Sequence, residues 1–135
     1  MARNVEIMWA IKLPCDLKRL LIAIKTFNVE ESLPTLDEAR RRVIDEIRLA
    51  KREGVRVLKI IHGYGSLGKG GALCMGLRKS FTLRKKEGVI RDFIAGEEFS
   101  IFNETTLGLL EAVPKLRDDP DLNATNDGVT VLWLK

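Results

Sequence analysis

At 135 residues the chain is long enough to close one hydrophobic core and too short for two substantial lobes. Its 45% hydrophobic and 31% charged residues place it with soluble globular chains and exclude a disordered one. A net charge of +4 and a pI near 9.2 lean towards acidic partners such as nucleic acid, although a basic surface that binds nothing has the same balance.

Residues 1–19 are of mixed character, divided by Pro14, and read as an N-terminal extension to a domain spanning 20–135. Within them "VEIMWAIKL" is interrupted by Glu6 and Lys12 and lacks a small-residue cleavage site, so neither a signal peptide nor a membrane span is expected. Cys15 and Cys74 lie far apart with no CxxC spacing, which points to neither zinc nor a disulfide framework and to a reducing, cytoplasmic setting. Residues 20–27, "LLIAIKTF", predict a strand. The next segment predicts a helix from Thr35, which forms a capping box with Glu38, to about Arg52, with Gly54 ending it. Leu36, Ala39, Val43, Ile47 and Ala50 share its inner face, and Asp37 with Arg41 and Glu38 with Arg42 are spaced for pairing outside.

"VRVLKII", residues 55–61, reads as a central strand ending at His62, the only histidine in the chain. A second helix is expected from about Gly70 to Lys86, with Leu73, Cys74, Leu77, Phe81 and Leu83 inward and Arg78, Lys79, Lys85 and Lys86 outward. Arg84 falls on its apolar side, so fraying is expected there. A strand or hairpin follows within "VIRDFIAGEEFSIF", with a bulge or turn at Gly96. A short helix ending before Pro114, the polar loop "RDDPDLNATNDG" and a final strand "VTVLWLK" complete the chain.

The unusual feature is "VLKIIHGYGSLGKGGAL", where a glycine-rich loop joins a buried strand to a basic helix. Backbone amides and a helix N-terminus in that arrangement can cradle a phosphate. "GYGSLG" fits G-x-G-x-x-G with Glu87 about twenty residues on, yet Glu87 sits in "RKKEG" and not at the end of an apolar strand. "GYGSLGKGG" nearly spells a P-loop, but Gly70 stands where a magnesium-binding hydroxyl is required. A nucleotide-binding protein using this loop is the weaker alternative.

"IIHGYG" resembles the HGxG signature of the Smr (small MutS-related) domain, and the order of the elements around it, from residue 20 to the closing "GVTVLWLK", resembles that family as well. The resemblance implies an α/β sandwich of two main helices on a mixed sheet of about four strands, similar to the C-terminal domain of translation initiation factor 3, here with an inserted short helix before the last strand. It also implies nucleic-acid binding, DNA or RNA, and in several members endonuclease activity, with the ribosome or a DNA-repair complex as settings. His62, Gly63 and Gly65 match the motif, with His62 as the catalytic candidate. Tyr64, Lys69, Arg78, Lys79 and Lys25 are further candidates for contact with nucleic acid, because cations beside such a loop attract phosphates. No cofactor is evident, and a divalent metal is left open.

Active members carry a second motif, Leu-Asp-x-His, at the end of the first strand. One register puts Ala23 and Lys25 in place of its aspartate and histidine; another, anchored on Thr35, leaves "VEESLP" there, and neither supplies a histidine. Glu30, Glu31 and Lys25 are the substitutes available. A non-catalytic interaction module is therefore the second functional reading. His62 as a strand terminator, and Trp9 and Trp133 as core residues instead of base-stacking platforms, are its structural counterparts.

Overall fold

In the computed structural model the described residues are 23–31, 34–63 and 69–135. Among them four strands form one mixed sheet: β1 (Ile24–Asn28), β2 (Val57–Ile61), β3 (Ile90–Ala95) and β4 (Val129–Leu134), in the order β1-β2-β4-β3. β1 and β2 are parallel and the other pairs antiparallel. A parallel neighbour requires a crossover, and α1 (Leu36–Arg52) provides it. Residues 20–22 of the expected first strand, and the extension before them, lie outside the described residues.

α1 forms where its sequence predicts. The Thr35 hydroxyl accepts the Glu38 amide at 3.3 Å, and Ala39, Val43, Ile47 and Ala50 are buried. On its surface Asp37 meets Arg40 at 3.3 Å and Asp45 lies 3.9 Å from Arg48. α2 (Lys69–Lys86) lies beside α1 on the same face of the sheet. Both helices end in a Schellman cap. Val55 and Val89 reach back to the carbonyls of Ala50 and Arg84, with Gly54 and Gly88 at φ 79° and 77°, where a side chain would be strained.

Expectations for the C-terminal half of α2 are corrected at Leu83 and Arg84. Leu83 is 53% exposed, because it lies two residues, about 200° of helix, beyond the buried Phe81. The helix does not fray at Arg84, which is half-buried and sits 2.9 Å from Glu87. Gly96 marks a turn and not a bulge: it opens the 3₁₀ turn Gly96–Glu98, packed against the Asn126 carbonyl. The irregularity in the ladder falls instead between Ile90 and Asp92, where Arg91 projects over Trp133, 5.2 Å from the ring centroid.

α3 (Glu104–Ala112), with the 3₁₀ turn Pro114–Asp118, covers the other face of the sheet. Leu109, Leu110, Val113 and Leu116 pack there against Val57, Ile94 and Val131, with Trp133 alongside. The inserted helix thus gives the sheet a second core. A buried ion cluster fastens the loop that follows it. Lys59, 7% exposed in the middle of β2, meets Asp119 at 3.0 Å and also the Asp121 carboxylate, which accepts from Asn126 as well.

Candidate functional site

The parallel and antiparallel pairings bring the ends of β1, β2 and β3 together with the start of β4 at one edge of the sheet. His62 stands there, directly after β2, and its residue is 0% exposed. Its Nδ1 lies 2.8 Å from the Gly63 carbonyl and its Nε2 2.8 Å from the Thr130 hydroxyl. A carbonyl only accepts, so Nδ1 carries the hydrogen, and in the neutral ring Nε2 then accepts from the Thr130 hydroxyl. Thr130 in turn accepts from Arg78 Nε at 3.3 Å.

Arg78 is the hub of this edge, and its expected outward position is corrected. Its guanidinium grips Glu97 in a fork, at 2.9 and 2.7 Å, and reaches the carbonyls of Asp127 and Val129 at 3.4 and 3.3 Å. Burial disfavours charge on Glu97, yet the Arg78 hydrogen bonds outweigh it and hold the carboxyl below its ordinary range. Burial, seconded by the Arg78 charge, pushes the His62 imidazole below its ordinary value, against the opposing pull of the Gly63 carbonyl and of Glu97 and Glu30. The ring is accordingly neutral near pH 7. Both of its nitrogens are occupied.

The backbone is equally committed. The amides of His62 and Gly63 both donate to the Gly128 carbonyl, each at 3.0 Å, so the first amides of the glycine-rich motif are spent on β4. Gly63 has φ 69°, and a β-carbon there would collide with the Glu30 carboxylate. The positive φ favours glycine, and a larger residue would also have to push the Glu30 side chain aside. Tyr64 and Gly65 lie outside the described residues. Lys69 begins α2, and Lys79 is exposed on it.

Glu30 is the carboxylate that the fold brings against the motif. The register anchored on Thr35 is the one the structure adopts, since α1 starts at Leu36. Glu30 is held by the bond from its amide to Asn28 Oδ1, and Val29 donates to Ile61. Lys25 is elsewhere. It pairs with Leu58 in the ladder and buries its ammonium between Glu46 at 2.7 Å and Glu53 at 2.8 Å. Burial opposes the charge on Lys25, but those two carboxylates outweigh it and raise its pKa.

Among the described residues no group of three or more histidine, cysteine, aspartate or glutamate side chains is arranged to hold a metal ion, and no helix is long and apolar enough to cross a membrane. Cys74 is buried and free, with its thiol pKa raised by burial. The dinucleotide reading fails on topology. β2 pairs with an antiparallel β4, whereas that motif needs a parallel βαβ sheet, and Glu87 lies at the far end of α2 from the loop.

Thr130, Glu97 and the Gly128 carbonyl complete the arrangement around His62. Only spatial pairing reveals them, because they follow His62 by 35 to 68 residues. No protein-family model matches the sequence, and no curated protein does. The chain is similar to a solved structure, the Smr domain of Thermus thermophilus MutS2, with 21% identity over 82% of this chain and 98% of that one and a TM-score of 0.52. At that identity the likeness is one of fold, and the element order and the mixed sheet agree with an Smr-like fold.

Proposed function

We propose that this Smr-like domain binds nucleic acid and cleaves it slowly or not at all. The likeness of fold and the net charge of +4 support binding. The observation that carries the second half is the burial of His62 with both ring nitrogens engaged. A general base needs a free lone pair within reach of the proton it takes, and a positioned acid or base contributes about 10² to 10⁴-fold. Freeing Nε2 would break the Thr130 bond inside a water-excluded site. We assign contact with the phosphate backbone at this edge to the loop from Tyr64 to Gly65, Lys69 and the exposed Lys79. Arg78 and Lys25 serve the fold.

The test incubates purified protein with labelled single- and double-stranded DNA and RNA, with and without magnesium or manganese. Binding without cleavage in every arm is the expected result. Cleavage that His62→Ala abolishes, in a variant whose fold is intact by circular dichroism, refutes the non-catalytic half; absence of binding in all arms refutes the first. A protein partner is the second reading, and one observation favours it. Phe102 is 91% exposed beside the exposed Ile101 and Leu107, an apolar cluster on the inserted segment suited to a module that docks on a larger complex.

A further inference from the structure

The edge that carries His62 also carries Glu30, Glu97, Glu98 and Asp127, and its arginine, Arg78, is spent on Glu97. α1 and α2 both run away from that edge, so their C-terminal ends meet at the opposite end of the molecule, about 22 Å along α2 from Lys69 to Arg84. A depression of about 280 Å³ lies in the seam between them, lined by Ile44, Ile47, Arg48, Arg84, Glu87 and Val89. Arg48 also lines an adjoining, more open depression together with Asp45, Lys51 and Arg52. Four cationic groups thus converge against two anionic ones.

The state of those cations is informative. Arg48 is well exposed and lies 3.9 Å from Asp45, a loose contact. Arg52 is exposed. Arg84 Nε is buried and has no hydrogen-bond acceptor: Glu87 Oε1 is 2.9 Å away but off the line of the N–H. An anionic oxygen entering the groove would offer that donor the aligned acceptor it lacks. Complementing the helix dipoles explains a cation or two in each last turn. It does not explain Arg48, a turn earlier, or the unsatisfied donor on the groove wall.

We infer that the seam between the C-terminal halves of α1 and α2 is a phosphate-binding groove for a nucleic-acid backbone, built on Arg48, Arg52 and Arg84, at the end of the domain opposite the histidine motif. This rests on the nucleic-acid reading proposed above. Neutralising a phosphate releases counterions and steepens the salt dependence of binding by roughly 0.7 to 0.9 per contact. The experiment titrates fluorescein-labelled single- and double-stranded oligonucleotides against salt for the full chain, for Arg48→Gln/Arg52→Gln, and for Lys69→Gln/Lys79→Gln. The groove variant is expected to flatten the slope by roughly 1.4 to 1.8 with an unchanged urea midpoint, and the Arg84 Nε–H resonance of the full chain is expected to shift on saturation. An unchanged slope in the groove variant, with the loss confined to the loop variant, overturns the groove and leaves nucleic-acid binding standing. No oligonucleotide binding by the full chain overturns both. Binding to phosphatidylserine vesicles with none to oligonucleotide overturns the inference in favour of a membrane surface.

Discussion

Thr130→Val removes one hydroxyl and almost nothing else. Both side chains are β-branched and suit the buried β4, so strand geometry and shape survive. What disappears is the donor to His62 Nε2 and the acceptor for Arg78 Nε, the middle of the chain from Glu97 to the Gly63 carbonyl. Nε2 is then a buried acceptor with no partner, at about 1–3 kcal/mol. Arg78 keeps its fork on Glu97 and both carbonyls, so its loss adds only about 0.5 kcal/mol. The expected total is about 1.5–3.5 kcal/mol, read as a lower urea midpoint at unchanged m-value. Thr130→Ser keeps the hydroxyl and gives up a methyl, at about 1 kcal/mol. The order wild type, serine, valine follows if the hydroxyl matters. Imidazole ¹⁵N shifts check the proton assignment, with Nδ1 protonated and Nε2 bare. A valine variant within 0.5 kcal/mol of wild type, or more stable than the serine variant, refutes the relay.

Lys59→Met leaves Asp119 and Asp121 facing each other without their cation under the second core, and should cost about 3–5 kcal/mol by urea unfolding; adding Asp119→Asn and Asp121→Asn should recover part of it. A single variant as stable as wild type would show that the cluster does not anchor the loop. Stability should also depend on pH in two windows with one sign. His62 is neutral when folded, while the unfolded chain takes up a proton near pH 6.5, so stability is complete above that pH and falls below it, by at most ~1.4 kcal/mol per pH unit. Because His62 is the only histidine, a flat profile between pH 7 and 5 contradicts its burial. Burial disfavours charge on Asp121, but Lys59 and Asn126 outweigh it and depress its pKa; Glu97 is depressed by Arg78. These carboxylates add stability that is present above the ordinary carboxylate range and lost as pH falls through their lowered values.

Most of the frame was legible because it is written in local periodicity. The inner face of α1, its cap at Thr35 and its stop at Gly54 are read from residues three or four apart, and the structure has them in those places. The misread polar residues have one cause, which is that their partners are set by tertiary neighbours. Arg78 looks like an outward cation on a helical wheel, but β4 and Glu97 lie beside that flank of α2. Lys59 passes unnoticed in "VLKII" because the aspartates that neutralise it stand 60 and 62 residues on. Lys25 seems placed for a ligand until the neighbouring α1 and its C-cap supply Glu46 and Glu53. The register near β1 turned on a single choice, which the helix start decides: anchoring on Thr35 puts Glu30, and not Lys25, against Gly63.

The presence of HGxG without a second histidine has a physical explanation that does not involve catalysis. Where β2 ends and the glycine-rich loop begins, β4 is just starting, and the ladder between them has to close at its last pair, Ile61 with Val129. His62 and Gly63 close it from both sides, with two amides on the Gly128 carbonyl and an imidazole bridging Thr130 to the Gly63 carbonyl. Alanine at 62 would leave Thr130 without that partner, and a side chain at 63 would displace Glu30 and take φ 69° at a cost. The same two residues that could serve a nuclease therefore also serve as a joint. An exposed Nε2 would favour the first role, whereas here it is buried and bonded. The electrostatics agree, because the charged groups that act on His62 are Glu30, Glu97 and an Arg78 already spent on Glu97.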